Sequence, residues 1–296
     1  MRHLLEIDDL TKDELTEVLD RSAATDLEPN MTGQGVALVF EKPSARTRNS
    51  LEMAVYQLGA NGVYIQGSEV GFDVRETTED IAHTLAGYYD VVCARVFKHE
   101  TLERMAATET VPIVNLLSDQ AHPMQGLADI LTLQQEFGTD ISGKTIAYVG
   151  DPNNVWRSLS IAAGMLGANL RLAAPAGHLP SDADLAKITD AGGDPVISQS
   201  PAEAVDGADA VYTDVWVSMG EEGDADAKKA DFSQFTVTNE VMEAAGPDAI
   251  FMHCLPAHRG EEVAAEVADG PKSRIWPQAE NRMHTARGLL SWLSEQ

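Results

Sequence analysis

The chain has 296 residues, 44% of them hydrophobic, and can therefore bury one large core or two moderate ones. Its formal charge of −26, from 47 acidic residues against 21 lysines and arginines, excludes nonspecific nucleic-acid binding, because phosphate backbones are bound by clustered basic side chains. No apolar run reaches the roughly 18 to 20 residues that span a bilayer, and the first residues become acidic too early for a secretory signal. We expect a cytoplasmic protein of two domains, with no membrane partner.

The large negative charge also indicates the salt conditions that suit the protein. A magnitude of about 2 to 8 is usual for a small soluble domain, so a surface this acidic needs strong ionic screening. At about 1 M salt the Debye length falls to roughly 3 Å. The composition therefore resembles that of proteins from salt-accumulating halophiles, and an acidic protein of an ordinary cytosol is the alternative.

The first half of the sequence alternates predicted strands with predicted helices. Residues 35–40 have the pattern of a buried strand, and residues 46–58 that of a helix ending at Gly59. The other predicted elements are an N-terminal helix over 8–27 capped by Thr11 or Asp9, strands at 62–65, 91–95 and 111–116, and helices at 78–88, 101–108 and 123–137. This alternation indicates parallel βαβ units.

A second series of elements begins after Gly138, where we place the domain boundary. Its predicted elements are strands at 145–149, 170–173, 210–213 and 249–252, helices at 182–191 and 238–245, and a last helix at 280–293. The sequence therefore predicts an α/β fold with two doubly wound parallel-sheet domains.

A polar cluster between the first strand and the following helix has the composition of an anion site. It reads Glu-Lys-Pro-Ser-Ala-Arg-Thr-Arg from residue 41. Backbone N–H groups at a helix N-terminus carry partial positive charge, Ser44 and Thr47 add hydroxyl donors, and Arg46 adds a planar fork that matches phosphate. Taken alone, the segment also fits an ordinary N-cap whose arginines face solvent.

Further polar residues follow later strands of the same domain. His122 and Gln125 open a helix, where the histidine can donate a hydrogen bond to a carbonyl oxygen that gains negative charge and the glutamine can hold the adjacent amide. Arg95 closes its strand at the sheet edge where open α/β sheets bind ligands. Taken alone, His122 fits a cap or loop residue equally well. Cys93 is expected to be an inert core residue.

The second domain carries two comparable clusters. Cys254, in His-Cys-Leu-Pro after a strand, can serve as a nucleophile, a metal ligand or a polar wall of a pocket. The absence of a second cysteine nearby in the sequence argues against a zinc site. Asp214 follows another strand and opens a flexible loop, which suggests capture of a cationic ligand, although an exposed acid in a surface turn has the same pattern.

In chain order, these clusters resemble the signature set of the ornithine carbamoyltransferases. The motifs are Ser-Ala-Arg-Thr-Arg from residue 44, His-Pro-Met-Gln from 122, Asp-Val-Trp-Val-Ser-Met-Gly from 214 and His-Cys-Leu-Pro from 253. The first two are shared with aspartate carbamoyltransferases, whereas the last two select ornithine. The resemblance implies transfer of the carbamoyl group of carbamoyl phosphate to the side-chain amine of ornithine, with no metal and no organic cofactor.

The resemblance also assigns residues to each substrate. Carbamoyl phosphate would contact Ser44, Ala45, Arg46, Thr47, Arg95, His122, Gln125, Cys254, Leu255 and Arg282, and ornithine would contact Asn154, Asp214, Ser218 and Met219. The catalytic residues would be His122, Arg95, Cys254 and Asp214. Residues 1–138, joined by a returning C-terminal helix at 280–296, would bind carbamoyl phosphate, and a Rossmann-like domain over 139–279 would bind ornithine.

Glu69 departs from the family pattern. It falls where the family commonly has a glutamine that a neighbouring subunit donates to carbamoyl phosphate. An acid there would repel phosphate, so either this loop is displaced or the carboxyl group is protonated or paired with a base. The family also implies a homo-oligomer, with a trimer as the smallest assembly expected.

Three other interpretations stay open. A carbamoyltransferase for putrescine, aspartate or an acylated ornithine would share the carbamoyl phosphate half, although an aspartate enzyme needs cationic groups where Asp214 stands. A nicotinamide oxidoreductase is disfavoured because Asp-Pro-Asn-Asn after Gly150 departs from G-x-G-x-x-G. An inactive binding paralogue is disfavoured by the intact Arg46, His122, Asp214 and Cys254. The same site serves citrulline synthesis and its reverse, so both directions of arginine metabolism fit.

Overall fold

The computed structural model describes residues 1–217, 223 and 225–296 of the chain. The chain divides into two compact units, one formed by Met1–Leu131 with Glu280–Gln296 and the other by Thr132–Ala279. Among the described residues, no helix combines the length and the hydropathy that crossing a bilayer requires.

The first unit is an open parallel sheet flanked by helices. After a 3₁₀ turn at Ile7–Asp9, its described elements are α1 (Lys12–Ala23), β1 (Gly35–Phe40), α2 (Ala45–Gln57), β2 (Asn61–Gln66), α3 (Gly67–Val70), α4 (Thr78–Ala86), β3 (Val91–Arg95), α5 (His99–Ala106), β4 (Ile113–Leu117) and α6 (Pro123–Phe137), whose last residues belong to the second unit. The described strands lie parallel in the order β2-β1-β3-β4.

Burial of both faces explains why β1 and β3 are nearly continuous apolar runs. Ala37, Val39, Val92 and Ala94 pack in one core cluster with the apolar faces of α4 and α5. The connection after β1 leads to β2 on one side, whereas the later strands lie on the other side. The carboxyl ends of β1 and β3 therefore form a topological switch point, where open α/β sheets bind ligands.

The second unit repeats this architecture. Its described elements are β5 (Thr145–Val149), α7 (Asn154–Met165), β6 (Asn169–Ala173), α8 (Asp182–Asp190), β7 (Val196–Ser198), α9 (Pro201–Val205), β8 (Ala210–Thr213), α10 (Ala225–Phe232), α11 (Asn239–Ala245), β9 (Ile250–His253), α12 (Ala265–Ala268) and α13 (Ile275–Leu293), which continues into the first unit. The described strands are parallel in the order β7-β6-β5-β8-β9, so the switch point lies between β5 and β8.

The predicted fold class is confirmed, because each unit is a doubly wound parallel sheet and a C-terminal helix is present. The predicted cap Thr11 is confirmed, whereas the alternative cap Asp9 and the predicted bounds of 8 and 27 for the first helix are wrong. Thr11 caps α1 and forms a capping box with Glu14, whereas Ile7–Asp9 makes a separate 3₁₀ turn, and the helix ends at Ala23. The predicted boundary between residues 138 and 139 stays a prediction.

Candidate active site

The amino end of α2 presents hydrogen-bond donors at the first switch point. Ser44 is its N-cap, and the Ser44 hydroxyl oxygen accepts the backbone N–H of Thr47 at 3.4 Å. Ala45 and Arg46 occupy the first two helical positions, whose backbone N–H groups have no acceptor within a helix. Both residues are exposed, while Thr47 is buried. The local geometry therefore matches the predicted anion site.

A buried hydrogen-bond network links this helix end to α6 and α13. Arg282 donates from Nη1 to Oε1 of Gln125 at 2.6 Å and from Nη2 to Oγ1 of Thr47 at 3.2 Å. Gln125 donates from Nε2 to Oδ1 of the fully buried Asp129 at 2.7 Å. The structure thus brings together Thr47, Gln125 and Arg282, which the sequence placed in one site, and adds Asp129, which it did not.

His122 is buried among positive charges. Its carbonyl oxygen accepts the N–H groups of Gln125 and Gly126 at the start of α6. Burial, followed by the charges of Arg282, Arg95 and Arg46, holds the pKa of the imidazole well below its ordinary value of 6.5. The ring is therefore neutral near pH 7 and can donate a hydrogen bond to a carbonyl oxygen. Arg282, Arg95 and Arg46 therefore lie close enough for their charges to act on the imidazole, and such a set of charges suits an anion.

The depressed pKa of His122 predicts an acid-sensitive stability. Below pH 6.5 the unfolded chain binds a proton at this position and the folded chain does not, so the free energy of unfolding falls by up to about 1.4 kcal/mol per pH unit until the folded-state pKa is reached. Above pH 6.5 the contribution is fully retained. In the His122→Gln variant this loss disappears, so denaturant unfolding at pH 7 and pH 5 should show a smaller drop than in the wild type.

The exposed His83 on α4 offers a matched control for that measurement. Its substitution by Gln should leave the difference between pH 7 and pH 5 unchanged. Equal pH dependence of the wild type and the His122→Gln variant would contradict the assigned environment of His122.

Glu69 uses its carboxylate within its own segment. Oε2 accepts the backbone N–H of Gln66 at 2.7 Å, which caps the short helix α3. Arg75 donates to the Glu69 carbonyl oxygen at 3.0 Å. This capping contact accounts for an acidic side chain at position 69 without any contact to a ligand.

The second unit places a buried carboxylate at its own switch point. Asp214 follows β8, and Oδ1 accepts the Sγ–H of Cys254 at 3.0 Å, while Oδ2 accepts Nδ2–H of Asn153 at 2.9 Å. Asn153 is also the N-cap of α7, where its Oδ1 accepts two backbone N–H groups. Asn154, the predicted ornithine contact, is the first residue of α7 and is half-buried. Sequence reasoning missed Asn153, although an Asn directly before a helix is a recognisable cap.

The two cysteines differ in environment. Cys93 is fully buried in β3, where desolvation raises the pKa of its thiol to about 12, so it is an inert core residue. Cys254 is half-buried beside Asp214, and the next residue, Leu255, has a left-handed φ of 64°. The predicted contacts Ser218 and Met219 lie outside the described residues.

Ligand atoms of Asp214, His253 and Cys254 lie within 4.8 Å of one another. Both ring nitrogens of His253 already face protein partners, the N–H of Leu255 and the carboxylate of Glu262. The imidazole is therefore arranged as a structural hydrogen-bonding group.

These features define a class of two-unit α/β protein in which one unit offers basic groups suited to a phosphate-like anion and the other carries a buried acid at its switch point. The family model for the carbamoyl-P binding domain of aspartate/ornithine carbamoyltransferases matches residues 2–135, and the model for the Asp/Orn binding domain matches residues 142–293. The chain belongs to the aspartate/ornithine carbamoyltransferase family.

Individual relatives cover nearly the whole chain. Ornithine carbamoyltransferase of Thermus thermophilus is 46% identical over 88% of this chain and 85% of its own, and the catabolic ornithine carbamoyltransferase of Halobacterium salinarum is 42% identical over the full length of both. The ornithine carbamoyltransferase structure from Pyrococcus furiosus superposes with a TM-score of 0.93 at 39% identity, covering 98% of this chain and 96% of that one.

Proposed function

We propose that this protein is an ornithine carbamoyltransferase, which converts carbamoyl phosphate and L-ornithine to L-citrulline and phosphate. The observation that carries the proposal is the cluster of Arg46, Arg95 and Arg282 around a neutral His122 at a sheet switch point. This cluster suits a small dianion that also carries a carbonyl group. The identity to several ornithine carbamoyltransferases over nearly the full chain supports the same activity.

In the proposed reaction, the α2 N-terminus, Ser44 and Thr47 hold the phosphate group together with Arg46 and Arg282. Gln125 holds the carbamoyl amide. Arg95 and the neutral His122 face the carbonyl oxygen and stabilise the negative charge that builds there. The uncharged side-chain amine attacks the carbonyl carbon, a C–N bond forms and the C–O bond to phosphate breaks. The departing phosphate keeps the electron pair and takes the proton that the amine loses.

The choice of ornithine rests on the second unit. Asp214 is buried. A carboxylate in this position suits an ammonium ion, whereas it would repel the carboxylates of aspartate. Asn154 suits the ornithine carboxylate, and the family pattern adds Ser218 and Met219. The family pattern also assigns Cys254, which is hydrogen-bonded to Asp214, and Leu255 to carbamoyl phosphate. The domain assignment, residues 1–138 with 280–296 for carbamoyl phosphate and 139–279 for ornithine, belongs to the same proposal.

The net charge of −26 supports a further part of the proposal, a cytoplasmic enzyme adapted to high salt. Two relatives at 42% identity come from Halobacterium salinarum and Haloquadratum walsbyi. The family pattern supports a homotrimer, which should appear in solution at about three times the chain mass of 31.9 kDa.

The reaction is tested by measuring both products. Purified protein incubated with carbamoyl phosphate and L-ornithine should form citrulline and phosphate in equal amounts, and reactions without ornithine should yield no citrulline. The reaction is run at low salt and in molar KCl, and the rate should be retained or increased at the higher salt. Absence of citrulline under both conditions would contradict the proposed activity, and loss of the rate in KCl would contradict the adaptation to salt.

A further inference from the structure

Another buried histidine, His253, lies beside the candidate amine site. His253 ends β9 and its side chain is fully buried. Nδ1 accepts the backbone N–H of Leu255 at 2.9 Å, and Nε2 lies 3.2 Å from Oε1 of Glu262, which is also fully buried. Because a backbone N–H can only donate, Nδ1 is the acceptor and the ring proton is on Nε2, facing the carboxylate.

The backbone of His253 is held as well. Its N–H donates to Oε1 of Gln278 at 2.9 Å, and Nε2 of Gln278 donates to the hydroxyl of Tyr212 at 3.0 Å on the neighbouring strand β8. These contacts fix the end of β9 from both its main chain and its imidazole. The residues that follow are thereby anchored before the chain leaves the sheet.

Glu262 is anchored independently of the histidine. Its Oε1 also accepts the backbone N–H of His258, and its carbonyl oxygen accepts the N–H of Val237 at 2.9 Å. A carboxylate that is buried and bonded on both its side chain and its main chain is a fixed reference point for the imidazole. The role is comparable to that of a carboxylate that sets the tautomer and orientation of a functional histidine.

The segment that this pair holds is strained and functional. Leu255 has a φ of 64°, a conformation that residues other than glycine rarely adopt, so its N–H bond to His253 stabilises an unfavourable backbone. Cys254, between the two, places Sγ at 3.0 Å from Asp214. A displacement of the imidazole would therefore change both Leu255 and the thiol contact with Asp214.

We propose that Glu262 is a positioning residue that acts through His253, fixing Leu255 and the Cys254 thiol against Asp214. The proposal rests on the proposed carbamoyl transfer for its effect on turnover. The positioning itself has a readout that needs no substrate, the reactivity of the Cys254 thiol. Because the thiolate is the reacting form, a thiol whose proton is held by a carboxylate should alkylate slowly. Buried Cys93 does not interfere, since the pKa of its thiol is raised to about 12.

Three variants distinguish the hydrogen bond that Glu262 accepts from the negative charge that it carries and from the effect of a neighbouring acid. Glu262→Met removes the acceptor while keeping a similar length. Glu262→Gln keeps an amide oxygen that can accept the Nε2–H. Glu261→Gln changes the neighbouring, partly exposed acid, which is paired with Lys229 at 2.7 Å. Each variant is treated with iodoacetamide, and Cys254 modification is followed by mass spectrometry.

We expect Glu262→Met to speed Cys254 alkylation about fivefold or more, and to lower kcat with ornithine by about tenfold to a hundredfold, the scale on which small misplacements act. Glu262→Gln should restore most of both values, and Glu261→Gln should match the wild type. Glu262→Asp, which keeps the charge but withdraws the acceptor, serves if the Met variant does not fold and should change alkylation in the same direction. A folded acceptor-free variant that alkylates at the wild-type rate overturns the positioning role. A wild type without carbamoyl transfer overturns the proposed function and leaves the alkylation test standing.

Discussion

The Arg282→Ala variant is expected to lose about a thousandfold in kcat/KM for carbamoyl phosphate. Arg282 is buried, and its guanidinium donates to Gln125 and Thr47. Truncating one member of a buried charged contact typically costs about 2 to 5 kcal/mol, and each 1.4 kcal/mol is about tenfold. The loss should be larger than the hydrogen bonds alone imply, because the proposed ligand is itself an anion. Steady-state rates with varied carbamoyl phosphate, together with calorimetric titration of the same ligand, measure both effects.

Arg287 provides a matched control on the same helix. It is also nearly buried, but it donates to Oε1 of Gln57 and to the carbonyl oxygen of Ala24. The Arg287→Ala variant should therefore lose stability in thermal unfolding while the KM for carbamoyl phosphate stays within about twofold, since its contacts lie outside the candidate site. If Arg282→Ala retained its affinity for carbamoyl phosphate, the assigned anion site would be wrong.

For the Asp214→Asn variant we expect about a thousandfold loss in kcat/KM for ornithine, with little change in the KM for carbamoyl phosphate. The amide keeps the shape of the carboxylate, and its oxygen can still accept from Asn153. The substitution removes the negative charge that would pair with the proposed ammonium ligand. Loss of one partner of a desolvated charge pair costs about 4 kcal/mol of binding free energy. The measurement is a full kinetic series in both substrates.

Asp269→Asn is the control for that series. Asp269 is a surface carboxylate bound to Arg259 at 2.6 Å in the same unit, and exposed ion pairs of this kind contribute little. The variant should keep wild-type kinetics. An Asp214→Asn variant that used ornithine as well as the wild type would show that Asp214 does not bind the amine.

Much of the fold was legible in the sequence because apolar runs are bounded by glycine, proline and caps. The bounds of the four strands β1, β3, β5 and β8 agree with the predicted ones, because both faces of these strands are buried. The bounds of α6 also agree, because Pro123 and Gly138 mark its two ends. The edge strand β7 was missed because its three residues are partly exposed and leave no apolar run. Helix α13 begins at Ile275, five residues before the predicted start at residue 280, because its first turn carries a proline and an exposed tryptophan that do not read as helical. Pro277 lies in its first turn, where proline is tolerated, and Trp276 is 66% exposed.

The candidate site was predictable where a motif carried it and not where tertiary contacts did. Ser44, Arg46 and His122 stand at strand ends or helix starts that the sequence marks. Asp129 was missed because its role depends on a tertiary contact. It accepts a hydrogen bond from Gln125, one helical turn away, and the same amide group accepts a hydrogen bond from Arg282 near the C-terminus. Glu262 was missed because the sequence does not distinguish it from the adjacent Glu261, and its burial against His253 depends on the folded second unit.

The most direct test of the account is a comparison of acceptors at saturating carbamoyl phosphate, with kcat/KM measured for L-ornithine, putrescine and L-aspartate in molar KCl. A buried carboxylate that recognises an ammonium ion, with polar contacts for an amino-acid group, predicts that ornithine exceeds each of the others by about a thousandfold or more. A preference for putrescine or aspartate would contradict the assignment of the second unit to ornithine. Equal rates with all three would contradict any specific role for Asp214.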